Sequence, residues 1–360
     1  MMSVLSVIII LAGLITVHEA GHFIAATLQK IRIQGFSIGF GPALLKKHRY
    51  GVSFALRIIP LGGFVSFPDT NKSNFLTDSD PDLLCNRSIL QRGLVVIAGV
   101  VANLILAWII LISQCLLIGL PTSSNSGVLV TSVHLNQPGY IAGLRSGDVI
   151  VSISGHALKQ GEQAVNELVQ YIRNAPEETI EITRKLHNQY EKLLLRPIKI
   201  EGIGHVGVQL QANFNTASRP AKNPKEILKY ASSEVLSMLH KTISSYSRLI
   251  TNFKSTVSDI SGPIRIVEVG SFMIRQGGTS IFTFTSLISI NLAVLNALPL
   301  PLLDGGQLLL LLIESLRGQP LPKKIENIFM QVGIIVFTGI TVVLFVHDTL
   351  QLNIIKELLR

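Results

Sequence analysis

Two histidines and a glutamate within a five-residue run form the group in this 360-residue chain that is best suited to chemistry. His18 and His22 are four residues apart, so on an α-helix they share one face, with a rise of ~6 Å between them. Imidazoles in this arrangement can bind one Zn²⁺, and Glu19 lies beside them. Glu19 could then take a proton from a water molecule that the metal has acidified to a pKa near ~7. The pattern therefore predicts metal-assisted hydrolysis.

The setting of this group favours a functional role. It lies inside an apolar stretch that runs from about residue 2 to residue 28. Ionisable side chains at membrane depth are costly and usually have a function. The alternative is that the two histidines and the glutamate only cap or pack a soluble helix, and the apolar flanks argue against it.

A catalytic zinc site needs a third protein ligand and one open position. Asp304 is the candidate, because it lies inside another apolar stretch, where a lone carboxylate needs a cation partner. Nearby prolines and glycines predict irregular backbone there, which is tolerated where it lines a wet cavity. The alternative is that Asp304 caps a half-helix. The other histidines are expected at the surface, and they are His48, His134, His156, His187, His205, His240 and His347.

The composition is that of a membrane protein, with 48% hydrophobic residues and a mean hydropathy of +0.47. Four apolar stretches have the ~20 residues that cross a bilayer. The first lacks the basic start of a cleaved signal peptide, which is the alternative for that stretch. The third is too long for one straight span and contains helix breakers. The stretches cover about residues 2–28, 94–120, 279–313 and 328–346.

Basic residues outnumber acidic ones in the loop between the first two stretches, and Arg317, Lys323 and Lys324 lie between the last two. Both loops are therefore expected in the cytoplasm, and residues 121–278 on the other side. The net charge of +9 then needs no nucleic-acid partner. The two cysteines predict neither a disulfide framework nor a metal site.

Residues 127–200 combine short β-type runs with a helical run near 163–173, which predicts a small α+β domain. Within it, residues 137–150 resemble the Pro-x-x-x-Ala-Gly-Leu-x-x-Gly-Asp signature of PDZ domains, which bind extended peptides at a sheet edge. The alternative is that these glycines only shape turns. Next, residues 223–226 predict the start of an amphipathic helix, which lies on the membrane or packs on the PDZ-like domain.

Together these motifs resemble the site-2 protease family of intramembrane zinc metalloproteases, and within it most closely the group of the bacterial regulator of sigma-E protease. The resemblance rests on His-Glu-x-x-His at 18–22, on Asn-x-x-Pro-x-Pro-x-x-Asp-Gly-Gly at 296–306, and on the order of the spans and the PDZ-like insert. It implies a Zn²⁺ ion and assigns its ligands and the general base. The implied ligands are His18, His22 and Asp304, and the implied base is Glu19.

The resemblance also implies a membrane-dipping β-hairpin at residues 59–65, where glycines let a substrate backbone approach. The substrate-binding residues that it implies are Gly62, Gly63, Phe64, Asn291 and Asn296. The chain departs from the family pattern in two ways. Only one PDZ-like domain is visible, and residues 99–103 lack the usual proline.

We therefore predict a polytopic α-helical membrane protein with four spans, the third one broken. It carries one inserted PDZ-like α+β domain and a cytoplasmic membrane-dipping β-hairpin. The expected parts are residues 1–120 with the first two spans, 121–205 as the PDZ-like domain, 206–278 as an amphipathic helical linker and 279–360 with the last two spans.

The expected activity is hydrolysis of peptide bonds within transmembrane segments. The expected location is the bacterial inner (plasma) membrane, with the active site toward the cytoplasm and the PDZ-like domain outside. The expected partners are the lipid bilayer and single-pass membrane proteins, such as anti-sigma factor-like proteins or signal-peptide remnants. One alternative is a non-catalytic scaffold, which would need neither Glu19 nor an open metal position. Another is a transporter, but no internal repeat is evident.

Overall fold

A computed structural model of the chain describes residues 2–68, 80–121, 124–186, 189–200, 202–214, 218–251 and 263–351. The chain divides into two compact units. The first, which we call the helical unit, is built from Met1–Gln114 and Asn223–Asp348. The second, which we call the β unit, is built mainly from Cys115–Lys222.

In chain order the described helices are α1 (Met2–Leu28), α2 (Ile89–Leu117), α3 (Pro138–Ile141), α4 (Gly161–Asn174), α5 (Pro224–Thr251), α6 (Pro263–Gln276), α7 (Thr279–Ala297), α8 (Asp304–Arg317) and α9 (Lys323–Gln351). The described strands are β1 (Gly35–Arg49), β2 (Val52–Ser66), β3 (Leu120–Pro121), β4 (Ser124–Val133), β5 (Val149–Ile153), β6 (His156–Ala157), β7 (Ile180–Leu186), β8 (Gln189–Leu195), β9 (Ile198–Ile200), β10 (Ile203–His205), β11 (Val208–Phe214) and β12 (Ser218–Arg219).

Among the described residues, three helices are long and apolar enough to cross a membrane. They are Ser3–Leu28 within α1, Ile89–Leu117 and Thr279–Ala297. The third apolar stretch is broken as predicted, because α7 ends at Ala297 and α8 begins at Asp304. The expected fourth span lies in α9, which is not one of the three, so the number of four spans stays a prediction.

Small residues let α1 and α2 approach closely. A Cβ on Gly21 would lie 2.5 Å from the carbonyl oxygen of Ala98 and 2.8 Å from the Cβ of Ala102. Only glycine therefore fits at this crossing. The crossing holds the face of α1 that carries the two histidines against α2.

Helix α5 begins where the sequence predicts, since the side chain of Asn223 accepts a 2.9 Å hydrogen bond from the amide of Glu226. Its apolar stripe packs on α2 and α7, where Met238 is buried with Ala107 and Ile290. The sequence leaves two surfaces open for this stripe, the membrane face and the PDZ-like domain, and the observed packing on α2 and α7 is neither of them. Sequence periodicity shows that a face is apolar, but it does not show which partner covers that face.

The hairpin of β1 and β2 folds back on itself. Residues 35–38 pair with residues 53–56 on one side and with residues 63–66 on the other. Gly39 and Gly41 adopt φ of +86° and +85°, a region that favours glycine, and they allow β1 to bend. Residues 63–66 therefore form an edge, and no described strand pairs with its outer side.

The β unit contains a sheet in the order β11-β4-β5-β7-β8, with β6 beside β5. The predicted β-type runs form β4, β5 and β7, and the predicted helical run forms α4. Buried aliphatic side chains of the sheet and α4, such as Ile150, Leu168 and Ile182, form the core. The sheet continues beyond the expected domain end at residue 205, because β11 pairs with β4.

Candidate active site

Helix α1 places both imidazoles on the side that faces α2. The Nε2 atoms of His18 and His22 lie 3.3 Å apart. The ring planes of the two imidazoles are almost perpendicular, at 89°. His18 is buried, and His22 is partly buried, with 12% of its side chain exposed. The predicted pairing of the two rings on one helix face is confirmed, and both Nε2 atoms point toward the same position.

The break between α7 and α8 brings Asp304 to this position. Leu298 has an extended backbone, as expected for a residue before a proline, and it ends α7. Gly305 and Gly306 let the start of α8 lie close to the segment that connects it to α7. A Cβ on either glycine would lie within 2.2 Å of a carbonyl oxygen of that segment. Asp304 is the first residue of α8, and its side chain reaches the two histidines.

The three side chains form a nearly regular triangle of ligand atoms. Oδ2 of Asp304 lies 3.1 Å from Nε2 of His18 and 3.4 Å from Nε2 of His22. Zinc–ligand distances of ~2.0–2.1 Å place the atoms of a tetrahedral site ~3.3–3.4 Å apart, which matches this triangle. Oδ2 is also buried without a hydrogen bond from any described residue. The three atoms thus point at a common centre, and the donor set fits Zn²⁺.

Glu19 lies between this triangle and the hairpin. A Cβ on Gly63 would lie 3.2 Å from Cγ of Glu19, and the backbone of Val65 interacts with the Glu19 carboxylate. Gly62 has a structural role, because its φ is +96° and a Cβ there would lie 2.0 Å from the ring of Phe40. The ring of Phe64 lies under the guanidinium of Arg57, whose central carbon is 5.2 Å from the centre of the ring.

The two predicted asparagines of α7 differ in their placement. Nδ2 of Asn296 lies 3.3 Å from Nε2 of His18, beside the predicted metal position. Asn291 has no described hydrogen bond to the three ligands. Five residues of an α-helix turn the chain by ~500°, so the two asparagines lie on different faces of α7.

Sequence reasoning missed the face of α2 that lies behind the histidines. The carbonyl oxygen of Val95, the Cα of Gly99 and the side chain of Asn103 all approach one of the two imidazoles. The sequence offered two signals for this face. Val95, Gly99 and Asn103 are spaced four residues apart, and Asn103 places an amide side chain in the middle of an apolar span.

Apolar helices around a ligand triangle with an adjacent carboxylate define a metal-dependent hydrolase of the membrane. The model of Peptidase family M50 matches residues 6–340, and the chain belongs to this family. The resemblance to site-2 proteases is thereby confirmed, and the chain is a metalloprotease.

Relatives cover nearly the whole chain. The protein named "Putative zinc metalloprotease all3971" from Nostoc sp. is 40% identical over 354 residues, which are 98% of this chain and 97% of that protein. "Membrane metalloprotease ARASP, chloroplastic" from Arabidopsis thaliana is 38% identical over 361 residues, which are 99% of this chain and 81% of that protein. Among solved structures, the PDZ domain of an SdrC-like protein from Listeria monocytogenes matches 25% of this chain and 92% of that domain, with 26% identity and a TM-score of 0.22.

Proposed function

We propose that this metalloprotease binds Zn²⁺ through His18, His22 and Asp304 and cleaves peptide bonds within transmembrane segments of single-pass membrane proteins. The observation that carries the proposal is the position of the ligand triangle. His18 and His22 lie on α1, and Asp304 begins α8 a few residues after the end of α7. Helices α1 and α7 are two of the three described helices that are long and apolar enough to span a membrane. A substrate that reaches such a site from the side must itself lie in the bilayer.

A transmembrane helix hides its carbonyl groups in its own hydrogen bonds, so the substrate must unwind locally before it is cut. The outer edge of residues 63–66 can receive the unwound segment as an added strand. Gly63 lies next to Glu19 and presents no side chain to a strand at this edge. The hairpin would thus hold the scissile bond extended beside the general base.

Bound zinc would polarise the scissile carbonyl and acidify the attacking water. Glu19 takes a proton from that water as its oxygen attacks the carbonyl carbon. Glu19 then passes the proton to the leaving nitrogen, and the C–N bond breaks to give a carboxylic acid and an amine. Asn296 is within reach to donate a hydrogen bond to the substrate backbone.

The charge of the loops supports an orientation with the active site toward the cytoplasm and the β unit on the opposite side of a bacterial plasma membrane. The resemblance to site-2 proteases supports anti-sigma factor-like proteins or signal-peptide remnants as substrates. It also supports a role for the β unit as a filter, which would admit substrates only after an earlier cut has shortened their outer part.

The test uses the purified protein in liposomes with a single-pass substrate, and the same segment as a soluble peptide for comparison. We expect cleavage of the membrane-embedded segment, and Glu19→Gln should slow it by about 10²–10⁴-fold because an amide cannot accept the proton. The control is Glu178→Gln, the same change at an exposed site in the β unit, which should leave the rate unchanged. Activity of Glu19→Gln within tenfold of wild type, or cleavage of the soluble peptide alone, would contradict the proposal.

A further inference from the structure

One face of α2 forms the wall behind the two histidines. Val95, Gly99 and Asn103 follow one another at intervals of four residues, so they share this face. Each of them approaches an imidazole. The contacts of Val95 and Asn103 are with Nδ1, the ring nitrogen that does not face Asp304.

The contact with Val95 fixes the proton of His22. Nδ1 of His22 lies 2.8 Å from the carbonyl oxygen of Val95. A carbonyl oxygen can only accept a hydrogen bond, so Nδ1 of His22 carries the proton and donates it. Nε2 then keeps its lone pair, which faces Asp304 and the predicted metal position. A metal-binding histidine needs this tautomer.

Asn103 lies next to Nδ1 of His18, as the carbonyl of Val95 lies next to Nδ1 of His22. Its side chain is 0% exposed, and its Nδ2 lies 3.3 Å from Nδ1 of His18. Its Oδ1 is also buried, and it has no hydrogen-bond partner among the described residues. A half-turn of the amide exchanges the two atoms, and Oδ1 can then accept a hydrogen bond from Nδ1. In this orientation Nδ1 of His18 carries the proton, and the lone pair of its Nε2 is left free.

Two further contacts fit the same arrangement. Nδ2 of Asn296 lies 3.3 Å from Nε2 of His18, and a donor at this place suits an Nε2 atom without a proton. The backbone of Asn103 is held in turn, because the hydroxyl of Ser289 donates a 2.8 Å hydrogen bond to its carbonyl oxygen. The amide of Asn103 is therefore presented to His18 from a fixed point of α2.

Gly99 provides the space that lets α2 lie so close. A Cβ on Gly99 would lie 2.5 Å from Nε2 of His22 and 2.7 Å from Cε1 of His18. Any side chain at this position would displace the imidazoles from the triangle that they form with Asp304.

We infer that Asn103 is a positioning residue for the metal site, which accepts a hydrogen bond from Nδ1 of His18 and keeps its Nε2 directed at the metal. It does for His18 what the carbonyl of Val95 does for His22. This inference rests on the proposed zinc site. Partners of this kind around metal ligands typically contribute 10–100-fold to metal affinity.

The test measures the zinc affinity of the full chain in detergent by competition with a chelator. Asn103→Leu, which keeps the branching of the side chain but cannot accept a hydrogen bond, should weaken zinc binding about 10–100-fold. Asn103→Asp should restore binding to within about threefold of wild type, because a carboxylate accepts the same hydrogen bond. The visible spectrum of the Co²⁺-loaded protein should shift in Asn103→Leu, since the orientation of one ligand changes.

The matched control is Ser286→Ala. Ser286 is fully buried on α7 and donates a hydrogen bond to the carbonyl of Ala107 on α2, and it has no hydrogen bond to His18, His22 or Asp304 among the described residues. Its loss should lower thermal stability without changing the zinc affinity. Equal zinc affinities of Asn103→Leu and wild type would overturn the inference, and so would equal weakening in the leucine and aspartate variants. A wild-type protein that binds no zinc would instead overturn the proposed metal site.

Discussion

Among single residues, the proposed activity depends on His18, His22 and Asp304, whose candidate ligand atoms converge from two places in the chain. His22→Ala and Asp304→Ala should each reduce zinc from about one ion per chain to less than about one tenth, because two remaining ligands do not make a stable site. The control is His240→Ala, an exposed histidine of α5 in the same unit. Metal analysis after gel filtration measures the content. Stoichiometric zinc in either ligand variant would show that the ligand set is wrong.

The sequence revealed residues whose side-chain type is itself the signal. His18, His22 and Asp304 stand out because such groups are costly within apolar stretches. Gly99 gave no such signal, since its contribution is the absence of a side chain beside two imidazoles. Val95 gave none either, because it acts through a backbone carbonyl that every residue has. Some residues act through their backbone or through the space that a missing side chain leaves. Such residues can therefore be identified only once the position of the neighbouring helix is known.

At the scale of elements, the hairpin edge is predicted to align the substrate with Glu19. Gly63→Val should lower cleavage at least tenfold with zinc content unchanged, since its side chain would meet Glu19 and the carbonyl of Ser37. The control is Gly51→Asn in the turn between β1 and β2, where φ is +77° and no atom lies within 4 Å of an added Cβ. Cleavage and zinc content are measured on the same preparations. Full activity of Gly63→Val would remove the hairpin edge from the proposed substrate path.

An ion pair between α2 and α8 is predicted to hold the element that carries Asp304. Arg92 donates a 2.8 Å hydrogen bond to Glu314, and their side chains are 23% and 9% exposed. Arg92→Leu leaves the carboxylate unpaired, which should cost about 2–4 kcal/mol, below the figure for a fully buried pair because Arg92 is partly in contact with solvent.

Thermal unfolding in detergent measures this cost. The double variant Arg92→Leu with Glu314→Leu should recover most of the loss, since no charge is then left unpaired. A double variant that is no more stable than Arg92→Leu alone would contradict this role of the pair. Sequence alone could not pair these residues, which are 222 positions apart.

Across the whole molecule, the sequence predicted which segments form helices and strands better than it predicted where domains end and which surfaces pack together. The length of an apolar stretch and the positions of its prolines determine helix structure locally. The helix break after Ala297 could therefore be predicted from the sequence. The end of the β domain could not, because β11 joins the sheet through pairing with β4, about 80 residues earlier in the chain. The surface covered by α5 was missed for the same reason, since packing partners are set by the tertiary fold.

The basic loops predict the orientation of the chain in the membrane, and this prediction is open to a direct test. Starting from a variant without Cys85 and Cys115, one cysteine replaces Lys46 in β1 or Lys159 in the β unit, both exposed. An impermeant thiol reagent added outside intact cells should label the Lys159→Cys protein. It should label Lys46→Cys only after the membrane is opened, because the basic loop is predicted to lie in the cytoplasm. The reverse labelling pattern would invert the predicted orientation. Labelling of both variants in intact cells would contradict the prediction that the membrane separates Lys46 from Lys159.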